Sequence, residues 1–148
     1  MEESVFKKLT FVLLFSLVGH LTFASELTKN DLRQLANTVI DPNVSSAEIG
    51  PLLSDNLKVK ATIGDSTRGF SVFYDKTKYL ALLEEADKLE VDELKKLAKI
   101  AELKVTSKSS GEFTISAFMK SIKRKVWVTY YAQKEGNQVK IIRIEESV

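Results

Sequence analysis

From Leu103 to Glu145 the chain alternates apolar and polar residues through four successive runs, at about 103–108, 112–121, 126–134 and 138–145. A period of two over such lengths marks strands with one buried face, and short turns between consecutive strands make an antiparallel meander. Gly136-Asn137, with Gly first, suits a two-residue type II′ turn that pairs Ala132 with Ile141 and Tyr130 with Arg143. A two-residue turn at Lys123-Arg124 pairs Met119 with Val128 and Ile115 with Ala132. A three-residue turn Ser109-Ser110-Gly111, with Gly left-handed, pairs Val105 with Ile115. These registers agree on the faces. One collects Leu103, Val105, Phe113, Ile115, Ala117, Met119, Val126, Val128, Tyr130, Ala132, Val139 and Ile141, and is the predicted core face. The other is mixed, with Phe118, Trp127, Tyr131, Ile142 and Ile144 among Thr114, Thr129, Gln133 and Lys140. A slip of one residue would exchange the two sets, so the agreement supports the register.

Upstream, the period changes to that of helices. Thr28 can cap a helix with apolar positions Leu32, Leu35, Ala36, Val39 and Ile40, ended by Asp41-Pro42-Asn43. Ser45-x-x-Glu48 is a capping box for a short second helix that Gly50-Pro51 cuts. Leu57 to Ala61 alternates like a strand, residues 64–69 read as a turn, and Phe70 to Phe73 as a second short strand. Asp75 can cap a helix with the stripe Tyr79, Leu82, Leu83, Ala86 and Leu89. The stripe resumes at Val91, Leu94, Leu97, Ala98 and Ala101, consistent with one long helix or two. Within it, Asp92, Glu93, Lys95, Lys96 and Lys99 read as a solvated face. The fold class expected is α+β: a curved antiparallel four-stranded C-terminal meander with short N-terminal strands, packed by about three to four helices.

The first 24 residues read differently. Lys7-Lys8 precede an apolar run, Leu9 to Phe23, that ends in Thr22-Phe23-Ala24 before a polar sequence begins. The run is shorter than the ~20 residues a helical membrane span requires, and small residues occupy the cleavage positions. Residues 1–24 are therefore predicted to be a signal peptide cut between Ala24 and Ser25, and residues 25–148 a single α+β domain. The segment carries two lysines and two glutamates, so its removal leaves the net charge at +2. The chain has no cysteine, which excludes a lipoprotein anchor and leans towards a bacterial periplasm or exterior over a eukaryotic secreted domain. Asn43-Val44-Ser45 fits a glycosylation acceptor, but such tripeptides arise often by chance, and this one reads as a turn and a helix cap. Charges of both signs are interspersed, and the one basic cluster, Lys120 to Lys125, reads as a hairpin tip; nucleic-acid binding is not expected.

Two N-terminal helices, a short strand pair, a helix and a long meander, with Leu52-Leu53-Ser54-Asp55-Asn56-Leu57-Lys58-Val59 at a helix-to-strand junction, resemble the nuclear transport factor 2-like (SnoaL-like) superfamily. That resemblance implies a cone of curved sheet closed by helices, and covers most of residues 28–145. Residues 90–101 look like an insertion in it. Another helix-on-sheet fold, such as a cystatin-like one, fits the same pattern. Relatives that act as isomerases or dehydratases use Asp, Tyr or His in the cone, and many relatives look like sheet-to-sheet dimers.

The sole histidine, His20, lies in the predicted signal peptide. Histidine-based acid–base catalysis, Cys–His pairs, Ser–His triads and the usual zinc sites are thereby excluded from residues 25–148, and no catalytic residue, metal ligand or cofactor is assigned. Tyr130 opposite Arg143, with Tyr79 from the helix, is the candidate pocket: hydroxyl and guanidinium would donate to a small anionic or carbonyl group. The structural alternative is a core tyrosine and an arginine paired with Glu145. Phe118, Trp127, Tyr131, Ile142 and Ile144 are the candidate homodimer interface, the alternative being cover by a terminal segment or by residues 90–101. The function expected is non-enzymatic binding of a small apolar or anionic ligand, or of a partner protein, through the cone. An isomerase or hydratase using Tyr130 and Arg143, and an envelope-assembly subunit docking through the Trp127 face, are the alternatives. No stable membrane span is expected after cleavage. The intact mass of the exported protein should place its N-terminus at Ser25 or within about two residues of it; a full-length mass in the membrane fraction would contradict the signal-peptide reading.

Overall fold

The computed structural model describes residues 25–64, 67–88 and 93–147. The predicted signal peptide, with Ala24, lies outside the described residues. Helix α1 (Lys29–Ile40) begins at a capping box: Asp31 N–H donates to Thr28 Oγ1 at 3.2 Å, and Thr28 N–H donates to the Asp31 carboxylate at 2.8 Å. It ends at Asp41, which is extended because Pro42 follows. Helix α2 (Ser46–Ile49) is a single turn, and a 3-10 turn (Gly50–Leu52) leads into the sheet. Asp75 caps α3 (Lys76–Lys88), accepting from Lys78 N–H at 2.8 Å. Helix α4 (Glu93–Leu97) follows; residues 89–92, where the choice between one helix and two falls, lie outside the described residues. The helical spacing at Ala98 and Ala101 does not extend α4. Residues Lys99–Val105 are strand β3, because pairing beside the next strand supplies ladder bonds and half-buries Ile100 and Leu103.

The sheet has six strands: β1 (Leu53–Ile63), β2 (Phe70–Tyr74), β3, β4 (Ser110–Met119), β5 (Arg124–Glu135) and β6 (Gln138–Ser147). Their order is β2-β1-β6-β5-β4-β3, and β1 runs parallel to β6. The sheet is thus mixed rather than wholly antiparallel, and β1 is long rather than short. A parallel pairing between residues so distant in sequence leaves no local signal, since no turn joins the partners.

Register follows the expected turn at Gly136, whose φ of +63° supports the hairpin and sets Ala132 opposite Ile141. The other turns differ. Met119 faces Arg124, not Val128; Ile115 faces Val128, not Ala132; and Val105 faces Gly111, not Ile115. Every displacement is even, so most residues keep their expected face. Gly111 is not a left-handed turn residue but part of β4. A Cβ there would stand 2.7 Å from Leu32 Cδ1 of α1, so the glycine permits helix and sheet to close together.

One irregularity does change faces. Ala132 pairs with Ile141 while Tyr131 pairs with Arg143, so Ile142 is an extra residue in β6. Beyond it the alternation inverts. Tyr130 lies opposite Ile144, not Arg143; Ile144 is fully buried, and Arg143 is exposed on the outer face. Ile144 therefore belongs to the core and not to the exposed aromatic set. The core closes around Leu32, Leu53, Phe113, Ile115, Val128, Ile141 and Ile144, with α1 packed on β3 and β4 and α3 on β1 and β2. Val105, expected in the core, is 40% exposed at the end of edge strand β3. Among the described residues no helix is long and apolar enough to cross a membrane.

The bulge predicts a contrast that simple alternation does not. Ile144→Ala should cost about 2–5 kcal/mol and Ile142→Ala well below that, about 1 kcal/mol. Urea midpoints test this; equal losses would place both residues on one face.

Candidate functional site

Reading across the inner face through paired residues, one row runs Tyr74, Val59, Ile144, Tyr130, Phe113, and the next runs Val72, Ala61, Glu146, Val128, Ile115. Helix α3 lies over β1 and β2, held by two polar ties. Lys76 Nζ donates to Leu53 O at 3.0 Å and to Asp55 Oδ1 at 2.8 Å, and Ser46 N–H of α2 donates to Asp87 Oδ2 of α3 at 2.8 Å. Between helix and sheet remains a cavity of about 220 Å³. Val39, Ile49, Leu53, Leu82, Leu83, Ala86 and Ile141 make most of its wall, and Tyr74, Tyr79, Tyr130, Lys95 and Glu146 supply polar atoms.

Each polar residue arrives for a local reason. Tyr79 sits on the buried stripe of α3. Tyr130 is buried in β5, its ring stacked on Phe113 at 4.8 Å between centroids and nearly parallel. Lys95, read from sequence as part of a solvated face, is half-buried, and its Nζ donates to Val44 O at 2.8 Å. Glu146 is turned inward by the β6 bulge. Burial holds the Glu146 carboxyl above the ordinary glutamate range, and no hydrogen bond or ion pair to a described residue offsets this.

The outer face is arranged differently. The Arg143 guanidinium lies 3.7 Å from the Tyr131 ring centroid, and its Nε is 3.6 Å from Glu145 Oε1. Tyr131 OH donates to Glu145 Oε2 at 3.1 Å. Lys125 Nζ lies 4.1 Å from the Trp127 ring centroid, and the Thr114 and Thr129 hydroxyls are 3.1 Å apart. Phe118 is 56% and Trp127 41% exposed, while Tyr131 and Ile142 are half-buried. Helix α4 packs against α1 and β4, and β3 is the sheet edge, so these parts of residues 90–101 do not cover this face.

No protein-family model matches the sequence, and no curated protein matches it. Solved structures do. A protein from Silicibacter pomeroyi, described as NTF-2 like and of unknown function, superposes with a TM-score of 0.61 at 10% identity, over 80% of this chain and 92% of that one. An NTF2-like protein of unknown function from Pseudomonas putida gives 0.59 at 16% identity, over 80% and 84%. A DUF4783 family protein from Bacteroides ovatus gives 0.53 at 16% identity, over 74% and 87%. The fold is nuclear transport factor 2-like. At these identities the likeness is one of fold alone.

Within this nuclear transport factor 2-like cone, Tyr79 and Tyr130 both line the one cavity, and Arg143 lies on the outer face over Tyr131. Phe118, Trp127, Tyr131 and Ile142 share the outer face, without Ile144. Ser25 is exposed, and its carbonyl and hydroxyl oxygens accept from Lys134 Nζ. Sequence reasoning missed Tyr74, Lys95 and above all Glu146. Strict alternation across the unseen bulge places Glu146 outside.

The charge state of Glu146 has a thermodynamic consequence. Just above the ordinary glutamate pKa the unfolded chain has released this proton while the folded chain still holds it, so stability falls as pH rises through that window. Asp31, Glu48 and Asp87, held low chiefly by backbone hydrogen bonds, and Asp55, held low by Lys76, carry the opposite sign and lose their contribution as pH falls. Comparing Glu146→Gln with wild type isolates the one group. The variant should melt higher at neutral and mildly alkaline pH, and the gain should vanish as pH drops below the ordinary glutamate range. A gap independent of pH would show that Glu146 is already solvated.

Proposed function

We propose that this protein is an exported, non-enzymatic domain that holds one small ligand in its cone cavity and associates with a second copy through the outer face. The observation that carries the ligand reading is the cavity itself: an apolar wall with a few convergent polar groups, one of them a desolvated carboxyl. Export rests on the Lys7-Lys8 pair, the short apolar run and Thr22-Phe23-Ala24. Association rests on Phe118 and Trp127, large and exposed on a sheet face that no described element covers.

A second reading keeps the same cavity and makes it catalytic. A carboxyl held above its ordinary pKa beside buried tyrosines is suited to move a proton, as isomerases and hydratases require, and this favours Glu146 with Tyr130 over Tyr130 with Arg143.

Native mass spectrometry of the protein purified from its own envelope should report a retained small mass, and Ala86→Phe, which fills the cavity, should lose that mass while staying folded. Retention of the same mass by the filled variant would move the ligand elsewhere. Sedimentation of wild type should give a dimer and Trp127→Glu a folded monomer. A wild type that is monomeric at high micromolar concentration ends the association reading.

A further inference from the structure

We propose that the cone cavity selects a small organic cation, its ammonium group paired with Glu146 and faced by Tyr79 and Tyr130; Tyr74, on the same wall, already has Lys78 Nζ 5.7 Å from its ring centroid. This rests on the reading of the cavity as a ligand site. The chain has four tyrosines, and three of them line this one cavity. They come from β2, α3 and β5, so tertiary packing and not local sequence gathers them. Aromatic faces attract cations, most strongly where water is scarce. The same wall carries a single carboxylate, Glu146.

A buried charge is costly unless an opposite charge pairs with it. Glu146 has no such partner among the described residues, and burial alone keeps its carboxyl above the ordinary range. An ammonium group would supply the missing charge. Lys95 does not take that role. Its Nζ is bonded to Val44 O, and its field acts on Glu48 and Asp87, at the α2 end of the cavity wall, with no effect resolved on Glu146. An anionic ligand, expected when Arg143 was placed in the pocket, would instead meet an unpaired carboxylate. Arg143 is on the opposite face over Tyr131. A wholly neutral ligand would use the tyrosines and leave Glu146 unmatched.

The test compares choline, its uncharged isostere 3,3-dimethylbutan-1-ol, and acetate, by NMR titration of the purified protein. Choline should bind at least about tenfold more tightly than the isostere, a difference of about 1.4 kcal/mol. Glu146→Gln should remove most of that preference, and Glu146→Asp, which keeps the charge, should retain most of it. Tyr79→Leu should weaken choline several-fold while leaving the isostere nearly unchanged. Melting curves for each variant establish that it is folded. Equal binding of choline and isostere, or tighter binding of acetate, overturns the cation proposal and leaves the cavity as a site for other chemistry. If none of the three probes shifts resonances of the cavity residues, the cation proposal and the ligand reading fall together.

Discussion

One extra residue in β6 governs the geometry of this domain. Ile142 has no partner of its own between the pairs Ala132–Ile141 and Tyr131–Arg143. A bulge of this kind bends its strand and inverts the alternation beyond it. The inversion brings Ile144 into the core beside Val59 and Tyr130, sends Arg143 out over Tyr131, and turns Glu146 toward the helices. Without it, strict alternation would turn Arg143 and Glu145 inward and leave Glu146 outside, so the cavity would hold a guanidinium beside a carboxylate instead of a lone carboxylate.

The helices then determine how much of that inner face is filled. Helix α1 presses onto β4, where Gly111 lets Leu32 and Leu27 approach the backbone, and this half of the cone is solid core. Helix α3 stands over the other half, tied by Lys76 to β1 and by Asp87 to α2. These are connections at its two ends. Between them its stripe of Tyr79, Leu82, Leu83 and Ala86 lines the cavity, with Tyr79 and Leu83 also packed against the core. Leu82 is 46% exposed, which places it at the open side of that cavity. Proteins keep such spaces at a cost in stability, because the lining loses van der Waals partners. The cost is compounded here by a carboxyl whose burial opposes its ionisation. A site that is destabilising when empty is what ligand binding can relieve.

The two sheet faces divide the polar work. On the outer face two aromatics have charged neighbours, Trp127 under Lys125 and Tyr131 between Arg143 and Glu145, while Phe73 and Phe118 stand exposed. Such cation–ring and hydroxyl contacts reduce the apolar surface presented to water without burying it. The inner face concentrates its tyrosines around one carboxylate and keeps lysine at the margin.

The sequence by itself determined what depends on near neighbours. The cap at Thr28, the capping box at Ser45, the stripe of α1, the stop at Pro42, the Gly136 turn and the period-two runs of the meander are all legible because their causes lie within a few residues. The face assignment of β4 and β5 survived wrong turns at Lys123-Arg124 and Gly111, because the register errors were even. Tyr130 could be placed inward for the same reason, and Tyr79 from the helical stripe of α3. Only the tertiary structure decided the rest. The parallel pairing of β1 with β6, the strand character of Lys99–Val105 and the bulge at Ile142 each arise from contacts between distant segments. A bulge has no obligatory residue, and an odd shift reverses every side chain after it. Glu146 and Arg143 therefore exchanged faces, and the charge that defines the candidate site could not be read from alternation alone.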